Sequence, residues 1–275
     1  MPHDEYSVLL AVYALEKPEY LQASLNSLIT QTVLPRDIVI VCDGPLTAEL
    51  NEIIHAFETA HPGLFTVVRL SENRGHGAAS REGLSYCRCE LVARQDSDDI
   101  SHPDRMERLL TAFQEDPALD MVGSAVSEFA ETPDKETAVR RLPQQHEKIL
   151  KFARRRCPFN HPSVLFRKSA VLAAGGYDGG YQLFEDYDLW VRMLQAGAKT
   201  RNLPDKLVHM RAGKALYKRR GGRRYFQHMK TFRKSMRTRR FSTRFDYGLA
   251  ITMQGTVCFV PNRVRMFIYR HLLHL

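Results

Sequence analysis

The sequence predicts an α/β protein with a mostly parallel sheet flanked by helices and a basic helical extension at its carboxyl end. Three observations predict it. Short apolar, β-rich runs alternate with helix-period segments at the spacing of βαβ units. Three of those runs end in acidic or turn-forming loops at Tyr13–Glu16, Asp43–Gly44 and Asp96–Asp99. In a parallel sheet such loops share one edge, where ligands bind. Finally, residues 214–240 carry lysines and arginines uninterrupted by any acid, so the basicity belongs to the tail. The expected division is a catalytic-type domain over residues 1–213 and a basic amphipathic tail over 214–275.

Each element has its own reason. Residues 7–13 form an unbroken apolar run, as in a strand buried on both faces. Leu21, Leu25, Leu28 and Ile29 fall on one face of a helix over 18–30, closed before Pro35. Residues 38–41 are a second buried strand, stopping at Asp43-Gly44-Pro45. Leu50, Ile53, Ile54 and Phe57 stripe a helix over 46–60. A third strand over 65–70 leads into Asn73-Arg74-Gly75-His76-Gly77, whose glycines serve the turn. A helix follows over 78–87, then a short strand over 91–93. Met106, Leu109, Leu110 and Phe113 mark a helix over 103–113, and 120–126 is another strand. Residues 128–145 are polar and hold two prolines, which suits a surface excursion or hairpin. A short helix is expected over 149–156, a strand over 163–166 and a helix over 167–174 ended by Gly175-Gly176. Glu185 and Asp186 open the next helix, and a last strand covers about 203–210.

Composition sets bounds. The chain has 275 residues, 44% hydrophobic and 26% charged, with net charge +9. This describes an ordinary globule with enough apolar residues for a core. The five cysteines show no paired metal-ligand spacing and read as reduced thiols of a cytosolic protein. The amino end lacks a basic region before its apolar run, unlike a signal peptide. No stretch approaches the roughly 20 apolar residues of a membrane span.

The chemistry centres on Gln95-Asp96-Ser97-Asp98-Asp99. Carboxylates this crowded oppose folding unless a cation neutralises them, and hard oxygen ligands suit Mg2+ or Mn2+. A lone D-x-D is more often a turn with a helix cap. Acidic groups converging from distant loops favour the metal–diphosphate reading instead. Arg74 is a candidate for nucleotide phosphates. Glu185 and Asp186 sit at a helix amino end among Phe184, Tyr187 and Trp190, where partial burial would raise a carboxylate's pKa toward that of a general base. The basic, aromatic tail suits an anionic membrane surface; its apolar end, VCFVPNRVRMFIYRHLLHL, argues against a nucleic-acid arm.

Taken together, SVLLAVY, IVIVCDGP, NRGHGAA, ARQDSDDISHPDR, NHPSVLFRKSAVLAAGGY and EDYDLW resemble the family 2 glycosyltransferases with the GT-A fold. The nearest-looking branch builds bacterial capsular and exopolysaccharides, and the match spans residues 6–210. The resemblance implies a nucleotide-sugar donor, with UDP favoured, a divalent metal and inverting transfer to a lipid-linked saccharide acceptor. By position, Asp43 would contact the nucleotide base, Asp98 the metal, and Asp96 the ribose or metal. Asp186 would be the general base with Glu185 its neighbour. Tyr13, Glu16 and Arg74 complete the expected donor contacts. Asp99 adds a third carboxylate. The Q-x-x-R-W of processive synthases and transmembrane helices are absent, which argues for transfer of one sugar, and the basic, aromatic tail suggests an enzyme peripheral on the inner face of the cytoplasmic membrane. The other function class is a nucleotidyltransferase acting on sugar phosphates, although the first loop, Tyr13 to Pro18, lacks the glycines such enzymes use.

Overall fold

The computed structural model describes residues 5–178 and 180–269. Its first half is a run of βαβ units: β1 (Tyr6–Val12), α1 (Pro18–Ile29), β2 (Asp37–Cys42), α2 (Ala48–Ala60), β3 (Phe65–Arg69), α3 (His76–Tyr86) and β4 (Leu91–Asp96). β3, β2, β1 and β4 pair in parallel in that order. Alternation along β1 explains the layers. Tyr6, Val8, Leu10 and Val12 meet Leu21 and Leu25 of α1 and Ile54 of α2 on one face. Leu9 points to the other face, with Val39, Val41 and Leu84 of α3. Gly83 lets α3 approach closely, since a Cβ there would lie 2.4 Å from Val41 and 2.5 Å from Leu9.

The second half departs from a purely parallel pattern. It comprises β5 (Ile100–Ser101), α4 (Arg105–Glu115), β6 (Met121–Phe129), β7 (Glu136–Arg140), α5 (His146–Ala153), a 3-10 turn (His161–Ser163), β8 (Leu165–Arg167), α6 (Lys168–Ala173), α7 (Glu185–Gln195) and β9 (Thr200–Arg211). β8 inserts antiparallel between β4 and β6, β7 hairpins onto β6, and β9 runs parallel to β6. β4 is longer than the expected 91–93. Arg94 and Gln95 are polar yet fully buried, so the strand continues to Asp96 without an apolar signature. The 128–145 segment holds the end of β6, where Glu128 and Phe129 are buried, then the hairpin turn and β7.

The tail forms α8 (Lys214–Arg219), α9 (Gly222–Thr238), α10 (Arg244–Phe259) and α11 (Asn262–Ile268). Met229, Phe232 and Met236 of α9 pack on Tyr187 and Val191 of α7 and on Phe184 just before it, with the Phe184 and Phe232 rings stacked at 5.2 Å. Buried Arg233 donates to the Tyr187 hydroxyl at 2.9 Å. Several tail aromatics are therefore core residues of this junction. Arg265 closes the carboxyl end of α10, donating to the carbonyls of Val257, Cys258 and Val260. Among the described residues, no helix is long and apolar enough to cross a membrane. All five cysteines are free thiols.

Candidate active site

Parallel register carries three loops to one edge. Val12 pairs with Cys42, and Ala11 with Asp96, so β1, β2 and β4 end side by side. At the end of β2, buried Asp43 accepts hydrogen bonds from the backbone N–H groups of Arg74 (2.7 Å) and Gly75 (3.0 Å). It thereby fixes the 73–75 loop over the site. The Arg74 side chain itself is exposed. Gly44 makes the close approach possible: its φ is +87°, and a Cβ there would lie 2.7 Å from the Asn73 nitrogen. Gly44→Ala should cost about 1–3 kcal/mol of stability and loosen this loop. Thermal melts and nucleotide titration check both effects; unchanged values would remove Gly44 from the account.

The β1–α1 loop contributes Tyr13, half-exposed at the rim, and Glu16. Ser97 donates to the Glu16 carboxylate, which joins this loop to the acidic turn after β4. In that turn the three aspartates separate by environment. Asp99 is buried and accepts the Arg211 N–H at 2.7 Å, while its other oxygen is buried without a partner. Burial, then Asp98 and Asp96, push it well above the usual carboxylate range. Asp98 is partly exposed; burial, then Asp96 and Glu16, push it up to about 7. For Asp96, burial works against its charge, yet His161, His76 and Arg94 hold it below the usual range. Asp99 thus serves the turn, and Asp96 and Asp98 are left as the cation-binding candidates.

Glu185 and Asp186 open α7 against the start of α3, where a Cβ on Gly77 would meet Glu185 at 3.2 Å. Burial, then Asp186, push Glu185 up to about 7. His161 connects this pair to the acidic turn. Its Nδ1 lies 3.3 Å from Asp96 and its Nε2 lies 3.2 Å from Asp186. Burial disfavours its cation, but Asp186 and Asp96 outweigh burial and raise it above the usual histidine value.

Beneath His161 lies Arg94, fully buried. Its guanidinium donates to the Leu9 carbonyl (3.0 Å) and lies 2.9 Å from His161 Nε2 and 3.0 Å from His76 Nε2. Burial, with His161 and Arg94, lowers His76 to about 4. Ligand atoms of His76, Asp96 and His161 lie within 4.8 Å of one another. The fixed guanidinium already serves both imidazoles, so this cluster is not where a metal would sit.

The glycosyl transferase family 2 model matches residues 7–174, which covers the three strand ends and the acidic turn. The chain belongs to glycosyltransferase family 2. It is similar to the UDP-Gal:alpha-D-GlcNAc-diphosphoundecaprenol beta-1,3-galactosyltransferase of Escherichia coli, with 35% identity over 98% of this chain and 96% of that one. It is also 35% identical to the amylovoran biosynthesis glycosyltransferase AmsE of Erwinia amylovora, over 96% and 97% of the two chains. In fold it matches a mannosyltransferase of Pyrobaculum calidifontis solved with GDP-Man and Mn2+, at TM-score 0.63 and 17% identity, covering 95% of this chain and 71% of that one. Staphylococcus aureus TarS matches at TM-score 0.61 and 16% identity; the alignment covers 97% of this chain and 43% of TarS. The fold is GT-A, and the family sets the nucleotidyltransferase alternative aside.

Sequence reasoning missed four residues that surround this candidate site. Arg211 donates through Nε to the Asp98 carbonyl at 3.2 Å and stacks on Tyr20, 3.6 Å from the ring centre. Arg94, His76 and His161 were equally unassigned. His161 had a visible signal, since Asn160-His161-Pro162-Ser163 was among the matching motifs. Arg94 had one too: an arginine inside an apolar strand demands a buried partner. His161→Ala should lower kcat/KM by about 10–100-fold, the usual penalty for losing a residue that orients ligating groups. His161→Gln should recover part of it. Steady-state kinetics decide, and full activity in the alanine variant would show that the bridge is incidental.

Proposed function

We propose that this glycosyltransferase moves one sugar, with inversion, from a nucleotide-diphosphate sugar to a hydroxyl of a lipid-linked acceptor in bacterial surface polysaccharide synthesis. The single observation that carries this is the pairing of two carboxylate sets, Asp96–Asp98 and Glu185–Asp186, with His161 between them, 3.3 Å from Asp96 and 3.2 Å from Asp186. One set suits a metal–diphosphate site, the other a base, as direct displacement requires. The galactosyltransferase relative's name supports the lipid-linked acceptor, and that of AmsE supports polysaccharide synthesis.

UDP is the favoured nucleotide. Asp43 retains lone pairs beyond the two N–H groups it accepts, enough to meet a nucleotide base. Tyr13 and Glu16 flank the donor, and the exposed Arg74 side chain is free to reach its phosphates. Asp98 and Asp96 fit a divalent cation, Mn2+ or Mg2+, because Asp98 has its charge opposed by burial and by two neighbouring carboxylates. Such a cation, when bound, supplies positive charge beside the departing diphosphate. Asp186 takes the proton of the attacking hydroxyl, and His161 orients it. A panel of UDP-, GDP- and dTDP-sugars, with Mn2+, Mg2+ or EDTA, tests the reading by release of nucleoside diphosphate. Metal-dependent release from one donor is expected; turnover equal in EDTA would remove the metal from the scheme.

The tail is assigned to the inner face of the cytoplasmic membrane. Phe245, Phe259 and Phe267 are 70%, 61% and 59% exposed on α10 and α11. Arg223, Arg224, Lys230, Lys234 and Arg237 are exposed on α9. Apolar side chains beside basic ones suit an anionic bilayer surface. Failure to float with anionic liposomes would refute this part alone.

A further inference from the structure

We propose that the hollow between the end of α5 and the α9–α10 turn binds a phosphate-ester anion, at a site separate from the transfer cleft. The hollow is about 500 Å³ and is lined by Arg154, Arg237, Arg240 and Arg244, together with Ser242 and Thr243. Among the described residues, none of these four guanidinium groups is in an ion pair. The carboxylates of Asp246 and Asp188 are already committed. Asp246 is held by Arg155 at 2.5 Å, and Asp188 by Arg192 at 2.7 Å and Arg239 at 2.5 Å. The four guanidinium groups are exposed, Arg237 also lying over the Tyr247 ring, and together they give the concavity a positive potential.

Two further observations point to a ligand. Ser242 is only 7% exposed, and its hydroxyl is buried without a partner. Arg240 has φ +60°. It follows the end of α9, where Phe241 N–H returns to the Met236 carbonyl at 2.9 Å. Glycine is the usual residue at that position because a side chain there is strained. This chain places an arginine there, at the wall of the hollow. Thr243 then caps α10, whose amino end is already met by the Asp246 carboxylate, so the hollow's positive potential comes from its arginines.

The chemistry selects phosphate. Guanidinium groups match its oxygens in bidentate pairs, and several can share one phosphate or diphosphate. A second cavity of about 260 Å³ adjoins the first, sharing Arg154, Arg240 and Phe241, and has Leu150 and Leu194 in its wall. It gives an apolar place for the ester's organic part. The site lies at the far end of α7 from Asp186. Gln195, the last residue of α7, donates to the Arg239 carbonyl at 3.0 Å, about 14 Å along the helix from Asp186. The proposal is therefore independent of the transfer chemistry.

The test uses the full chain in EDTA, with Arg240→Gly and Arg244→Gln as variants. Glycine fits φ +60°, so Arg240→Gly should melt at or above the wild-type temperature, which guards against a trivial folding loss. One probe is inorganic pyrophosphate by calorimetry. The other is phosphatidylcholine vesicles with or without phosphatidylglycerol. Binding of at least one probe should weaken about tenfold or more in each variant. Loss of pyrophosphate binding identifies a soluble phosphate ester as the source, and loss confined to the phosphatidylglycerol vesicles identifies a lipid headgroup. If both variants bind both probes as the wild type does, the hollow is not an anion site. Donor hydrolysis with metal should be unchanged in both variants. A wild type without hydrolysis would count against the transfer reading and leave this site untouched.

Discussion

Asp186→Asn is expected to lower kcat for transfer by about 10²–10⁴-fold, the usual contribution of a positioned base, with little change in donor binding. Asparagine keeps the shape of the side chain and its place in the first turn of α7. It removes only the ability to accept the hydroxyl proton. In the proposed reading donor affinity depends on Asp43, the 73–75 loop and the acidic turn, none of which rests on Asp186 except through His161. Stopped transfer with intact UDP-sugar titration therefore identifies a base; equal losses in binding and turnover would identify a structural residue. Glu185 gives the companion result. The folded protein holds its proton up to about 7, against 4.5 for a free glutamate, because of burial and then Asp186. Since the folded state binds the extra proton between those values, Glu185 makes stability fall as pH rises through that window, and above it the loss is complete. Glu185→Gln mimics the protonated form. It should flatten this decline and remove an ionisation near 7 from the pH–rate profile, while transfer at acid pH persists.

Much of this was legible in residue patterns. The unbroken apolar runs of β1 and β2 and the apolar stripes of α1, α2 and α4 required a covered parallel sheet, because only burial on both faces accounts for runs such as Ile38 to Val41. The convergence of Glu16, Asp43 and Asp96 followed from topology alone. The antiparallel insertion of β8 did not. Leu165–Arg167 is three residues long and has no periodicity of its own, and its place between β4 and β6 is set by long-range pairing. The buried polar layer escaped for a related reason. Arg94 satisfies its charge through His76, His161 and the Leu9 carbonyl, residues that lie 18, 67 and 85 positions away. Local composition does not encode such a network. The tail shows the same effect: Phe232 and Arg233 read as surface chemistry in sequence, yet both are buried against α7.

Asp98→Asn should separate stability from activity. Asp98 shares its turn with Asp96 and is opposed by Glu16, and burial adds to the penalty on its charge. Removing that charge relieves repulsion without changing shape, so the metal-free variant should melt above the wild type. The same repulsion is what a divalent cation would offset in the wild type. Mn2+ should therefore raise the melting temperature of the wild type and leave Asp98→Asn nearly unmoved, by the linkage that any ligand of the native state imposes. Metal-dependent donor turnover should fall by about 10²–10³-fold, the scale of losing one electrostatic contact to developing charge. Melting curves with and without Mn2+, run beside the donor assay, check all three expectations. A variant that still gains stability from Mn2+ would move the metal away from Asp98. A variant that melts lower would mean the carboxylate is satisfied by the protein itself, and the acidic turn would lose its claim to hold a cation.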